Sequence, residues 1–135
     1  MIWLVAEDEA DIRNLITLMV QILGHNTMAF ENGKQVWDWL ETIENGNNME
    51  TVPDLVLMDI RMPGKKGNEV ARRMREIDTF AKTPIVLMTA FSLSDGDEKE
   101  FYERDGVDKI LQKPLPDFLE LQQIFEKIIL EKNKT

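Results

Sequence analysis

The sequence predicts a doubly wound α/β fold, in which helices cover both faces of a parallel five-stranded sheet. Short apolar runs alternate along the chain with longer segments of helical periodicity. The runs are continuously apolar, which is typical of strands buried on both faces. Prolines fall at the boundaries between the predicted elements: Pro53, Pro63, Pro84 and Pro114.

Five strand–helix pairs follow one another along the chain. The predicted strands are residues 2–6, 27–30, 55–58, 85–88 and 110–111. The first helix carries apolar residues at helical spacing: Ile12, Leu15, Ile16, Met19 and Leu23. The second follows Gly33, the third carries Val70, Met74 and Ile77, the fourth carries Phe101 and Tyr102, and the fifth covers residues 118–130. We expect a single domain over residues 1–135, with a frayed tail from about residue 131.

Charge and composition limit the classes of partner. With 16 basic and 25 acidic residues the net charge is −9, which disfavours nucleic acid and anionic membranes as direct partners. The chain has no cysteine, so disulfides, thiolate metal sites and cysteine nucleophiles are excluded. No apolar run is long enough for a membrane span or a signal peptide, so we predict a cytoplasmic protein.

Polar residues follow four of the five predicted strands. They are Glu7, Asp8 and Glu9 after the first strand, Asp59 after the third, Thr89 after the fourth and Lys113 after the fifth. In such sheets ligands bind beyond the carboxyl ends of the strands. Clustered carboxylates suit Mg²⁺, and a carboxylate can attack phosphorus while a lysine and a hydroxyl stabilise the transferred group.

Each of these residues also has a structural interpretation. Acidic residues at the start of the first helix can cap it, which is the better reading of Glu9 and Asp11. Asp59 could begin a turn, Thr89 could end a strand, and Lys113 could be a solvated side chain. Each interpretation taken alone is the simpler one, but the joint placement at four strand ends favours a site.

Four segments and three glycines of the chain resemble response regulator receiver domains. The segments are Ala6-Glu7-Asp8-Glu9, the run from Leu55 to Gly64 that reads LVLMDIRMPG, Val86-Leu87-Met88-Thr89-Ala90 and Gln112-Lys113-Pro114. Gly33, Gly67 and Gly106 also fall where that family has glycines. The resemblance covers nearly the whole chain, and the combination of segments is highly specific.

The resemblance implies a flavodoxin-like (βα)5 fold with strand order 2-1-3-4-5. It implies that Asp59 accepts a phosphoryl group with Mg²⁺ as cofactor. The implied metal ligands are Asp8, Asp59, the backbone carbonyl of Arg61 and, through water, Glu7. Lys113 would pair with Asp59 and then with the phosphoryl oxygens, Thr89 would turn inward to bond the phosphate, and the Lys113–Pro114 peptide would be cis.

The resemblance also implies partners and a role. The phosphodonor would be a sensor histidine kinase or a histidine phosphotransfer protein, and the output would pass to an unidentified protein. We expect a stand-alone switch, or else a domain cut from a larger chain. It would be monomeric or weakly dimeric when phosphorylated and would catalyse only its own phosphotransfer and dephosphorylation. The alternatives are a receiver-like interaction module that is not phosphorylated and, ranked last, an aspartyl Mg²⁺ phosphohydrolase.

Three residues near the predicted site depart from the family pattern. Glu7 stands where aspartate is usual, which puts the metal affinity in doubt. Ile110 replaces the aromatic residue through which the family usually signals, so output by that route is not expected. Phe91 is bulky and could shield an acyl phosphate, so we expect slow autohydrolysis.

Other departures lie outside the site. Leu15, Leu18 and Ile22 form an apolar stripe on the first helix, where burial is the usual explanation and a phosphodonor patch the second choice. Residues 44–52 read as a tolerated surface insertion. We expect Trp39 to be partly exposed and His25 to lie on the surface at the start of the second strand.

Overall fold

The computed structural model describes residues 1–47 and 52–133. Its strands are β1 (Ile2–Ala6), β2 (Asn26–Phe30), β3 (Leu55–Asp59), β4 (Ile85–Thr89) and β5 (Lys109–Gln112). Its helices are α1 (Ala10–Ile22), α2 (Gly33–Glu44), α3 (Gly67–Arg75), α4 (Asp95–Glu103) and α5 (Phe118–Asn133), with a short 3₁₀ turn at Asp78–Phe80. The five strands form one parallel sheet in the order β2-β1-β3-β4-β5, which confirms the predicted fold class and strand order.

Alternate residues of the central strands face two separate halves of the core. On one face, Leu4 of β1 and Met58 of β3 pack with the inward residues of α2 and α3. On the other face, Trp3 and Leu57 pack with those of α1 and α5. Burial on both faces explains why β1, β3 and β4 are continuously apolar in sequence.

Several predicted boundaries were wrong by one to three residues. β3 and β4 include Asp59 and Thr89, so these two residues end their strands instead of following them. Ile77 was predicted on the third helix, but α3 ends at Arg75 and Ile77 packs against the core just before the 3₁₀ turn. α5 continues to Asn133, where Lys132 pairs with Asp108 at 3.0 Å, and fraying of the tail from about residue 131 stays a prediction.

The tryptophans and His25 lie on or near the core. Trp3 is buried, and Trp37 and Trp39 are half-buried, in agreement with the partial exposure predicted for Trp39. His25 lies directly before β2, as predicted, but it is only partly at the surface, because it is half-buried and stacks on Trp3 with ring centroids 5.0 Å apart. Of the predicted insertion, residues 48–51 lie outside the described residues. No helix in the described part of the chain is long and apolar enough to cross a membrane.

Candidate functional site

Parallel pairing places the predicted site residues at one edge of the sheet. Glu7 and Asp59 follow Ala6 and Met58, the last residues paired between β1 and β3, so they lie side by side. Thr89 is the last residue of β4, and Lys113 follows β5 directly. The convergence predicted from the strand ends is therefore present in the structure.

Glu7, Asp8 and Asp59 form an acidic cluster. Each of them offers one carboxylate oxygen, and these three oxygens lie within 4.8 Å of one another. Glu7 is fully buried and Asp59 is 8% exposed, while Asp8 is exposed to solvent. Like charges this close repel one another unless a cation lies near them.

Lys113 supplies such a cation. Its Nζ donates to Glu7 Oε1 at 2.5 Å and to Asp59 Oδ2 at 3.0 Å. The Lys113–Pro114 peptide is cis, as predicted. The second Glu7 oxygen, Oε2, is buried and has no hydrogen-bond partner among the described residues. One lysine thus bridges two carboxylates and leaves one buried acceptor unsatisfied.

Burial and the neighbouring charges shift the pKa values of this group. Burial is the largest cause that raises the pKa of Glu7 to about 7, and the adjacent Asp59 raises it further, against the opposing effect of Lys113. For Lys113, burial acts to lower the pKa, but the hydrogen bonds and charges of Glu7 and Asp59 outweigh it, so the pKa is raised. Lys113 is therefore a cation at neutral pH.

Hydrogen bonds hold the backbone of Glu7 and the carboxylate of Asp59 in place. The backbone N–H of Glu7 donates to the Phe30 carbonyl at 3.2 Å, and the Arg13 guanidinium donates to the Glu7 carbonyl at 2.8 Å. Asp59 Oδ1 accepts from the Arg61 N–H at 3.3 Å. A Cβ on Gly67 would lie 2.3 Å from the Asp59 carbonyl oxygen, so only glycine fits there without displacing the backbone of Asp59.

The Thr89 hydroxyl bonds within its own loop. Thr89 Oγ1 accepts from the Phe91 N–H at 3.0 Å and lies 3.3 Å from the Phe91 carbonyl, to which it can donate. Thr89 itself is buried. The structure therefore places Thr89 beside the acidic cluster but turns its hydroxyl toward the β4–α4 loop, so the inward turn implied by the resemblance stays a prediction.

Two loops that flank Asp59 are joined by a contact that the sequence did not indicate. The Arg61 guanidinium lies over the Phe91 ring, 3.7 Å from its centroid, while Phe91 is 47% exposed. Arg61 was predicted only for its backbone carbonyl. A cation–π contact between residues 30 positions apart has no local sequence signal, so only the fold could reveal it.

An apolar groove begins beside Lys113. The stripe on α1 is exposed, with Leu15 at 67%, Leu18 at 53% and Ile22 at 65%. The loop after β5 forms the opposite wall, and the groove encloses about 480 Å³. The α1 groove is lined by Ile12, Leu15, Ile16, Leu18, Met19, Ile22, Lys113, Pro114, Leu115, Pro116, Phe118 and Leu121. All three residues of the stripe are exposed, so burial, the usual explanation of such a stripe, does not account for it.

The family profile described as the response regulator receiver domain matches residues 3–126. The chain belongs to this family. This receiver domain is therefore a component of two-component signalling, and its strand order is the one the resemblance implied.

Individual relatives agree with this membership. The receiver is 30% identical over 111 residues to the phosphate regulon transcriptional regulatory protein PhoB of Pseudomonas aeruginosa. The aligned segment covers 82% of this chain and 44% of PhoB. It is 29% identical over 119 residues to the polar-differentiation response regulator DivK of Brucella anthropi. That aligned segment covers 87% of this chain and 89% of DivK. The chain thus spans less than half of PhoB but most of DivK.

A solved receiver structure is similar over nearly the whole chain. It is the receiver domain of sensor histidine kinase PA1611 from P. aeruginosa PAO1, with a TM-score of 0.76 and 27% identity. The match covers 95% of this chain and 96% of that one. That structure holds a magnesium ion in its active site cleft.

Proposed function

We propose that this receiver accepts a phosphoryl group on Asp59 with Mg²⁺ and thereby switches its binding to an output protein. The single observation that carries the proposal is the contact of Lys113 with Asp59 at 3.0 Å, beside two further carboxylates at the carboxyl edge of the sheet. A nucleophilic carboxylate, a metal site and a cation for the phosphoryl oxygens are thus close together.

The side chains present fit a magnesium ion. Three carboxylate oxygens within 4.8 Å suit a hard cation that prefers oxygen ligands, and the buried Glu7 Oε2 lacks a partner that a metal-bound water could supply. We propose Asp8, Asp59 and the Arg61 carbonyl as ligands, with Glu7 acting through water. When bound, the ion would neutralise charge on the phosphoryl oxygens.

The chain's own residues then have defined parts in the transfer. An Asp59 oxygen forms a bond to phosphorus while the P–N bond of the donor's phosphohistidine breaks. The electron pair of that bond stays on the imidazole nitrogen. Lys113 donates hydrogen bonds to the phosphoryl oxygens, and Thr89 does so once its hydroxyl leaves the Phe91 N–H.

The donor proposed here is a sensor histidine kinase or a histidine phosphotransfer protein, docked on the α1 groove. The groove ends at Lys113, and its wall on α1 includes three apolar side chains that are more than half exposed, Leu15, Leu18 and Ile22. An apolar helix packed there would bring a phosphohistidine close to Asp59 and remove this surface from water. A cytoplasmic location, a monomeric or weakly dimeric state and autodephosphorylation activity stay predictions.

The alternative function is an interaction module that keeps the fold but takes no phosphate. The 2.5 Å contact between Glu7 and Lys113 favours it, because a lysine held by Glu7 is less available to a phosphoryl group. The two functions differ in whether the site accepts a phosphoryl analogue.

Beryllofluoride with Mg²⁺ tests the proposal, since it mimics a phosphoryl group on a carboxylate. We expect the backbone amide resonances of Thr89 and Lys113 to shift in the wild-type chain and to stay unchanged in Asp59→Asn. Unchanged resonances in the wild type, or equal shifts in Asp59→Asn, would reject the phosphoacceptor function in favour of the interaction module.

A further inference from the structure

The Tyr102 hydroxyl on α4 contacts the backbone of β5. Its oxygen accepts a hydrogen bond from the Ile110 N–H at 3.2 Å. β5 is an edge strand, and Lys113 N donates to the Thr89 carbonyl at 2.8 Å on the β4 side. Because an edge strand leaves alternate N–H groups without a strand partner, the phenol satisfies a donor that would otherwise face solvent.

Helix α4 has few other attachments to the rest of the fold. Phe101 is its only buried residue, and residues 95–100 are all exposed. Leu93, just before the helix, is half-buried against the core. A helix held by so few buried contacts changes position at small energetic cost, so the bond from Ile110 to Tyr102 contributes to where α4 sits.

Hydrogen bonds from β4 and β5 hold the loop that leads into α4. The Phe91 N–H donates to Thr89 Oγ1 at 3.0 Å, and the Phe91 carbonyl accepts from Gln112 Nε2 at 2.7 Å. Phe91 is thus tied both to β4 and to β5. If Thr89 turns toward a phosphoryl group on Asp59, the first of these bonds is lost, and the β4–α4 loop is then held less firmly.

We propose that Tyr102 is a latch that holds α4 on the edge of β5 while Asp59 is unmodified, and that phosphorylation releases it. The proposal rests on the proposed function for its trigger. It gives this receiver an aromatic readout on α4, although Ile110 on β5 lacks an aromatic ring. Burial also raises the pKa of Tyr102, so the hydroxyl is neutral at physiological pH.

Tyr102 is the only tyrosine of the chain, so tyrosine labelled with ¹³C in the ring gives a readout from this residue alone. With Mg²⁺ and beryllofluoride, we expect its ring resonances to shift and hydrogen exchange of the Ile110 amide to become about fivefold faster, as for the loss of one neutral hydrogen bond. Tyr102→Phe keeps the ring and should show the faster exchange without beryllofluoride, with no further increase on its addition.

Two failures can be told apart in the same samples. If the Thr89 and Lys113 amides shift but the Tyr102 ring and Ile110 exchange do not change, the site is loaded and the latch is wrong. If the amide resonances of Thr89 and Lys113 do not shift either, the proposed function fails. The latch then has no phosphorylation event to release it. Unchanged Ile110 exchange in Tyr102→Phe would also overturn the latch.

Discussion

Lys113 Nζ lies closer to Glu7 than to Asp59, at 2.5 Å against 3.0 Å. Glu7 stands where the family usually has aspartate, and its extra methylene lets the carboxylate reach the lysine. The same lysine is the group expected to hold the phosphoryl oxygens. Lys113 is therefore shared between Glu7 and the proposed acceptor Asp59, and several consequences can be measured.

Glu7→Asp should strengthen Mg²⁺ binding. The shorter side chain withdraws its carboxylate from Lys113 and leaves its charge free to act on the metal. We expect the dissociation constant for Mg²⁺, measured by calorimetry, to fall about fivefold, which corresponds to ~1 kcal/mol. Glu7→Gln, with equal length and no charge, should weaken binding. An equal or weaker affinity in Glu7→Asp would show that Lys113 does not compete with the metal.

The stability of the metal-free protein should depend on pH through Glu7. Burial raises its pKa from the ordinary 4.5 to about 7 in the folded chain, so folding takes up a proton between these two pH values. The contribution of Glu7 is thus most favourable below pH ~4.5 and is lost as pH rises to ~7, by up to about 3 kcal/mol. Relative to Glu7→Gln, the wild-type free energy of unfolding in urea with chelator should fall across this window. If the difference in the free energy of unfolding between the wild type and Glu7→Gln did not change with pH, the raised pKa of Glu7 would be contradicted.

Phe91→Ala should shorten the lifetime of the acyl phosphate on Asp59. The stack of Arg61 on Phe91 bridges the two loops that flank Asp59, and removing the ring opens a path for water. We expect phosphate loss to become faster by up to about tenfold, equivalent to ~1.4 kcal/mol. Phe91→Leu keeps apolar bulk and should change the rate less. If Phe91→Ala loses phosphate no faster than the wild type, the shielding hypothesis fails.

Leu18→Lys should slow phosphotransfer from the protein donor. Leu18 is 53% exposed in the α1 groove, so a charge there opposes an apolar partner without disturbing the core. Leu130→Lys is the matched control, since Leu130 is 59% exposed and lies outside the groove. Both variants should react equally with acetyl phosphate. If Leu18→Lys and Leu130→Lys receive phosphate from the donor at the same rate, the groove is not its docking surface.

Gly67→Ala should destabilise the fold and disturb the site. The added Cβ would lie 2.3 Å from the Asp59 carbonyl oxygen, so the backbone beside the acceptor must move, at a cost of about 2 kcal/mol or more. Gly96→Ala is the control, because its Cβ meets only Ser94 Oγ at 3.9 Å and alanine favours the helix by ~0.5 kcal/mol. Urea unfolding of both variants measures the free energy of unfolding, which should fall for Gly67→Ala and rise for Gly96→Ala. An unchanged free energy of unfolding in Gly67→Ala would contradict the close approach of residue 67 to the Asp59 carbonyl oxygen.

The sequence predicted the sheet and the convergence of the site because both depend on local patterns. Continuous apolar runs identified the buried strands, and parallel strands end at one edge, so Asp59 and Lys113 had to meet. Helix ends were predicted less well. Ile77 faces the core after α3 has ended, so the apolar period continues beyond the helix itself.

The contacts between distant side chains could not be predicted from the sequence. Lys113 reaching Glu7 depends on side-chain length at two strand ends that lie 106 residues apart. The Arg61–Phe91 stack and the bond from Ile110 to Tyr102 likewise join different elements. No local periodicity encodes such pairs, because they depend on how loops and helices are oriented around the sheet.

The mass of the intact protein after incubation with acetyl phosphate and Mg²⁺ shows most directly whether Asp59 is phosphorylated. We expect the wild-type chain to gain the mass of one phosphoryl group, and Asp59→Asn or the wild type with chelator to gain none. An unmodified wild type, or an equal gain in Asp59→Asn, would contradict phosphorylation of Asp59.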